Sequence, residues 1–310
     1  MTTIHEMTAP QAPTGLPAFL ELEITGRCQL ACSHCYAESG PTQGHGSMTV
    51  DDWKRILDEA GAGETKTVQF IGGEPTMHPA FAELVRHALD VGLRVRVYSN
   101  LYLVRDAHWP LFSDPRVDLA TSYYSDDPAE HDAITSRKGS HTSTRANIVE
   151  AVRRGISVKV GIIHMRDGQR SQEALAEMQS IGVAQVGIDN VRAVGNAATD
   201  KRLLPSTSEL CGRCADGKAA VLPDGTVAPC VMARFLPGGD VKGGTLASVM
   251  GSDQWAKVAA SIPSYKEGCL PDEDSCQPAP FAPAAATACK PNSDGSDCSP
   301  AEKPACNPKY

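Results

Sequence analysis

The sequence predicts an α/β protein, with parallel strands and helices packed outside them, followed by a smaller cysteine-rich unit. Three observations predict it. Over residues 19–190, six short apolar stretches alternate with helical patterns, which implies parallel strands joined by helical crossovers. Two chemistry-bearing motifs stand at the ends of the first two strands. The eleven cysteines divide into three within residues 28–35, none in 36–210 and eight in 211–306.

The first strand is Phe19-Leu20-Glu21-Leu22-Glu23-Ile24, where apolar and acidic side chains alternate with period two. Thr25-Gly26-Arg27 breaks the pattern, so Cys28, Cys32 and Cys35 fall on a loop at that strand's C-terminal end. Thr49 with Asp52 makes a loose capping box, and Val50, Trp53, Ile56, Leu57 and Ala60 form the apolar stripe of the helix it opens. Thr67–Ile71 is the second strand. It runs into Gly72-Gly73-Glu74-Pro75, where two glycines allow close approach to the backbone and a carboxylate can accept from an ammonium group.

Pro79 begins a second helix with Phe81, Leu84, Val85 and Ala88 on one face. Residues 93–98 alternate as the third strand and end in Ser99-Asn100. Residues 117–122 form the fourth strand. A helix carrying Ile148 and Val152 leads to a fifth strand at 158–163, and one carrying Leu175 and Met178 leads to a sixth at 184–188.

The totals narrow the function. A formal charge of −8 with no Lys/Arg run argues against a nucleic-acid-binding surface. No apolar run reaches membrane-spanning length and residues 1–17 lack a signal-peptide core, so a cytoplasmic location is expected. Residues 1–18 are expected to be disordered. Disulfides are rare in a reducing cytosol, so cysteines in such numbers point to metal ligation.

Three thiolates at offsets of four and three residues can converge on one metal centre. Zinc would want a fourth protein ligand, and none stands nearby in sequence. A four-iron cluster with three protein thiolates keeps one iron open. The Cys28-x₃-Cys32-x₂-Cys35 spacing after a first strand, with Gly72-Gly73-Glu74-Pro75 after the second, resembles the signature of the radical S-adenosylmethionine (SAM) superfamily.

The resemblance implies a six-stranded partial (β/α) barrel with ligand-binding residues at the strands' C-terminal ends. It implies that Cys28, Cys32 and Cys35 hold a [4Fe–4S] cluster whose open iron chelates SAM, and that an electron from it yields methionine and a 5′-deoxyadenosyl radical. It assigns Gly72, Gly73, Glu74 and Pro75 to the SAM amino group, and Ser99 and Asn100 to the ribose. Ser122 and Arg137 are assigned to the carboxylate. For Asn100 a turn residue, and for Arg137 a solvated surface cation, are the alternatives. Arg192-Ala193-Val194-Gly195 resembles an Arg-x-x-Gly loop of related members.

Residues 196–208 read as a polar linker out of a barrel spanning 19–195. Two apolar runs around Pro223-Asp224-Gly225 then read as a β-hairpin. Cys214, Gly225 and Cys230 are spaced like the opening of the SPASM domain, the auxiliary-cluster domain of many radical SAM enzymes. The resemblance makes residues 209–310 a SPASM-like domain. Its Cys211, Cys214, Cys230, Cys269, Cys276, Cys289, Cys298 and Cys306 would hold one or two auxiliary [4Fe–4S] clusters. The later intervals depart from the family's pattern, and zinc is the structural alternative. The tail from Lys266 has five cysteines and eight prolines but few large apolar residues, so ligation would have to supply its folding energy.

The function implied is hydrogen abstraction from a substrate, oxidatively modifying or cross-linking a ribosomally made peptide. The alternatives are dehydrogenation of a small molecule such as an aminocyclitol or sugar, and a cluster scaffold without chemistry. No N-terminal extension is long enough for a fused leader-binding domain, so a separate leader-peptide-binding protein is a candidate partner. Flavodoxin or ferredoxin is the expected electron donor. No catalytic side chain is singled out.

Overall fold

The computed structural model describes residues 15–263. Strand β1 (Phe19–Glu23) leads through the cysteine loop to α1 (Val50–Ala62), then β2 (Thr67–Ile71), α2 (Phe81–Asp90) and β3 (Arg94–Tyr98). Next come the short α3 (Trp109–Phe112), β4 (Val117–Tyr123), α4 (Pro128–Thr135), α5 (Ser140–Arg153) and β5 (Val158–His164). The barrel half ends with α6 (Ser171–Ile181), β6 (Gln185–Asn190) and α7 (Asn196–Asp200). Beyond it lie β7 (Lys218–Val221), β8 (Thr226–Ala228), β9 (Gly239–Asp240), α8 (Leu246–Met250) and α9 (Asp253–Ser261).

All the described strands share one sheet in the order β6-β5-β4-β3-β2-β1-β7-β8-β9, with β6 and β9 at its edges. The first six are parallel neighbours, which is the open, partial (β/α) barrel. The cysteine-bearing hairpin is not detached from it. β7 pairs parallel with β1, Phe19 opposite Lys218, and β8 and β9 add antiparallel strands.

The helix layer forms for the reason the pattern gives. The Thr49–Asp52 capping box is reciprocal, and Trp53, Ile56, Leu57 and Ala60 of α1 pack with Leu20 and Leu22 of β1. The other face of β1 behaves differently. Alternation predicts a strand with one wet face, yet Glu21 and Glu23 are as buried as their apolar neighbours. They point into the barrel lumen, where burial is offset by partners. Glu21 accepts from Val231 N at 2.9 Å, and both Glu23 oxygens accept from Arg234, at 3.1 and 2.8 Å.

Two further expectations change. Residues 15–18 are pinned: the Pro17 and Ala18 carbonyls accept from Thr65 Oγ1 at 2.7 Å and Lys66 N at 2.8 Å. The segment read as a linker opens with α7, because Ala197 and Ala198 are buried. Residues 1–14 and Cys269, Cys276, Cys289, Cys298 and Cys306 lie outside the described residues.

Candidate active site

The cysteine loop is held in place from three directions. Cys28 N donates to Gly40 O, and Ala31 N and Ser33 N donate to the last carbonyls of α4, Thr135 O and Ile134 O. From the far side of the barrel, Asn196 N donates to Cys35 O at 3.0 Å and its side chain to Cys32 O at 3.2 Å. Gly195 (φ +60°) makes this clasp possible: a Cβ there would come within 2.3 Å of Tyr36 O. The resemblance in the Arg192–Gly195 loop thus has a packing cause.

Gly72 and Gly73 answer the same need on the neighbouring strand. A Cβ on either would stand 2.4 Å from a carbonyl of the loop, Thr25 O or Arg27 O. Their absence lets Gly73 N and Glu74 N donate to those carbonyls at 2.7 and 2.8 Å. The two signature motifs are therefore stitched together through their backbones.

A cavity of about 140 Å³ opens between them at the strands' C-terminal ends. Cys28, Cys32 and Cys35 line it with Gly72, Gly73, Asn100 and Ser122. Glu74, Pro75, Ser99 and Arg137 do not. The Glu74 carboxylate is buried beneath: Oε1 accepts from Thr76 N, Thr76 Oγ1 and Ser99 Oγ, and Oε2 from Asn100 N at 2.9 Å. Burial nonetheless pushes its pKa up, against the hydrogen bonds that pull it down. The exposed Arg137 lays its guanidinium over the Tyr102 ring, 5.3 Å from the centroid.

The three thiols are close enough for their charges to interact, and burial dominates each, pushing Cys28 up to about 12 and raising Cys32 and Cys35. Metal-free they are neutral; ligation would take them as thiolates. Donors are already aimed at the sulfurs: Leu30 N and Asn100 Nδ2 at Cys28 Sγ, 3.4 and 3.5 Å away, and Ser39 N at Cys35 Sγ, 3.3 Å away. Such N–H···S bonds are what a cluster's thiolates use.

Among the described residues, no three His, Cys, Asp or Glu side chains are spaced to hold a single metal ion. A four-iron cube gives each thiolate its own iron and so accepts a wider spacing. The donor set fits the cluster. In the hairpin region Cys214 and Cys230 bring their sulfurs to 2.8 Å, and the Cys211 charge acts on Glu21.

Sequence reasoning missed several cavity residues. Glu21 and Gln69 come from the strand interiors, Tyr124 from just after β4 and His131 from within α4. His34 Nδ1, Tyr36 Oη, Gln69 Oε1 and His131 Nδ1 are buried there without a hydrogen-bond partner among the described residues. The available signal was polar side chains at lumen-facing positions of otherwise apolar strands.

A parallel partial barrel carrying three cysteines around one cavity, beside a glycine-turned second strand, defines a cluster-dependent enzyme class. The chain belongs to the radical SAM superfamily, whose family description matches residues 22–188. It is similar to the PqqA peptide cyclase of Rhodopseudomonas palustris, with 41% identity over 87 residues, 28% of this chain and 22% of that one. It is also similar to the antilisterial bacteriocin subtilosin biosynthesis protein AlbA of Bacillus subtilis, 29% identical over 149 residues, 47% of this chain and 33% of that one. Both matches span well under two thirds of the relative's length. Among solved structures, Streptococcus suis SuiB bound to S-adenosylmethionine shares the fold, with a TM-score of 0.66 at 14% identity over 79% of this chain and 68% of that one. The family implies a [4Fe–4S] cluster and SAM. No helix among the described residues is long and apolar enough to cross a membrane.

Proposed function

We propose that this radical SAM enzyme is of the SPASM type and oxidatively modifies or cross-links a ribosomally made peptide. The observation that carries the reading is its similarity to a peptide cyclase and to a bacteriocin biosynthesis protein. The site geometry supports it. Cys28, Cys32 and Cys35 would hold the cluster, and Gly72, Gly73, Asn100 and Ser122 would meet SAM in the shared cavity. A four-iron cluster held there would supply the electron that splits SAM into methionine and a 5′-deoxyadenosyl radical.

The chain's own residues do the rest of the positioning. Glu74 fixes Asn100 N, and through Asn100 it sets the amide that faces Cys28. Ile71 and Val231 pack with Tyr36 and Tyr98 around the cavity and keep water from the reacting centre. The hairpin cysteines Cys211, Cys214 and Cys230, with those of the tail, would ligate one or two auxiliary clusters that take up electrons from substrate oxidation. Residues 19–195 and 209–310 are the corresponding domains in this reading. A flavodoxin or ferredoxin would be the electron donor, and a separate protein would present the peptide's leader.

The test is anaerobic reconstitution followed by reduction with SAM present. The wild-type protein should release 5′-deoxyadenosine, and a peptide encoded beside it should lose two hydrogens in mass. A variant with Cys28, Cys32 and Cys35 all changed to Ala should do neither and should lose one cluster's iron. SAM cleavage by that variant would end the reading.

A further inference from the structure

We propose that the floor of the barrel cavity receives a lysine or arginine side chain of the substrate peptide, with Glu21 and Gln69 accepting hydrogen bonds from its head group. This rests on the reading that the cavity binds SAM and a peptide.

The floor lies below the groups assigned to SAM. Gln69 stands three residues before Gly72 on β2, roughly 10 Å deeper at about 3.3 Å per residue. Glu21 pairs with it in register on β1, and both side chains are fully buried while lining the cavity.

Their hydrogen bonding leaves acceptors over. Among the described residues, Glu21 Oε2 accepts from Val231 N at 2.9 Å, and Oε1 only from Gln69 Nε2, at 3.4 Å. A carboxylate offers about four lone-pair sites. The Gln69 amide has only one sensible orientation, because with oxygen towards Glu21 two acceptors would face each other. Its Oε1 is thus turned away from the carboxylate, and it has no partner among the described residues. A buried acceptor without a donor is costly, and an entering donor would recover that cost.

The walls above are apolar. Ile71 and Val231 form a collar with Tyr36 and Tyr98, and Met232 stands beside it. An aliphatic stem carrying several N–H donors at its end matches collar and floor together, and this is the chemistry of lysine and arginine. Two cations of the chain lie close by: Lys218 Nζ and the Arg96 guanidinium carbon stand 4.8 and 5.5 Å from the Phe19 ring centroid. Burial raises the pKa of Glu21, and the Lys218 charge pulls it back down. Selection therefore falls on hydrogen-bond donors, of which ammonium and guanidinium are the strongest.

The experiment is calorimetric titration of the anaerobic, SAM-loaded holoenzyme with the N-acetyl amides of lysine, arginine and norleucine. Lysine and arginine amides should bind about ten-fold or more tightly than norleucine amide. Glu21→Gln should remove most of that preference. Gln69→Met, which deletes the unpartnered oxygen, should reduce it and serves as the test if the Glu21 variant does not fold. Equal binding of the three amides, or a preference untouched by a folded variant, overturns the proposal. Release of 5′-deoxyadenosine by the wild-type protein is measured alongside. If SAM is cleaved while the amides bind alike, only this proposal fails; if SAM is not cleaved, the functional reading beneath it fails.

Discussion

The side-chain amide of Asn100 donates to the sulfur of Cys28 at 3.5 Å, while its backbone N–H donates to Glu74. One residue at the end of β3 thereby joins the two signature motifs. Its Oδ1 also closes a turn by accepting from Tyr102 N at 2.9 Å, so the amide cannot rotate without breaking that turn.

Replacing that donor should change the cluster's potential. Asn100→Asp keeps the turn acceptor but sets a carboxylate against the sulfur in place of an N–H. Hydrogen bonds to cluster sulfurs favour the reduced, more negative state. The midpoint of the reconstituted cluster, followed by spectroscopic redox titration, should therefore move to more negative potential. An unchanged midpoint would show that this contact does not tune the centre.

Glu74→Gln probes the buried knot beneath the cavity. All four hydrogen bonds to this side chain come from donors, and the one from Asn100 N cannot reorient as a hydroxyl can. An amide must turn its own donors towards some of them. The expected loss is about 1–3 kcal/mol of unfolding free energy. Denaturant unfolding reads it, and wild-type stability in the variant would contradict the geometry.

Acid should destabilise the fold through two histidines. Burial, with a smaller push from the neighbouring His141 and His45, lowers His131 to about 3 and His78 to about 4. His78 Nδ1 also accepts from Ala80 N at 3.2 Å, which requires it to be unprotonated. Between the ordinary histidine pKa near 6.5 and these lowered values, the unfolded chain binds the extra protons. Their stabilising effect is complete above about pH 6.5 and is lost as pH falls through the folded values. Melting temperature should drop across that window, and His78→Gln and His131→Gln should each flatten the slope. A variant slope equal to that of the wild type would remove that histidine from the account.

The strands were legible because their apolar runs are local, and the cysteine loop because its spacing is. Burial of Glu21 and Glu23 was not. Alternation shows that two faces differ, but not that the second face is enclosed by five other barrel strands and a hairpin. The pairing of β7 with β1 was hidden for a related reason, since nothing within Lys218–Val221 names a partner so far back along the chain. Glu74 shows a third limit. Its place beside two glycines was visible, but the direction of its carboxylate depends on Ser99 and Asn100, which fold in from the next strand. The helical start at Asn196 was masked by polar residues whose backbone, rather than side-chain hydrophobicity, makes the contact with Cys35.

The strand at the start of the chain has consequences for synthesis. β1 lies between β2 and β7, and β7 leaves the ribosome only after the whole barrel half has been made. Until then one edge of β1 stays open, with Glu21 lacking Val231 N and Glu23 lacking Arg234. Pairing so distant in sequence is slow to form, and an open edge invites other chains. The two glutamates guard it meanwhile: as unpaired charges they oppose stacking of the nascent strand, and the arriving hairpin turns the same charges into its anchors.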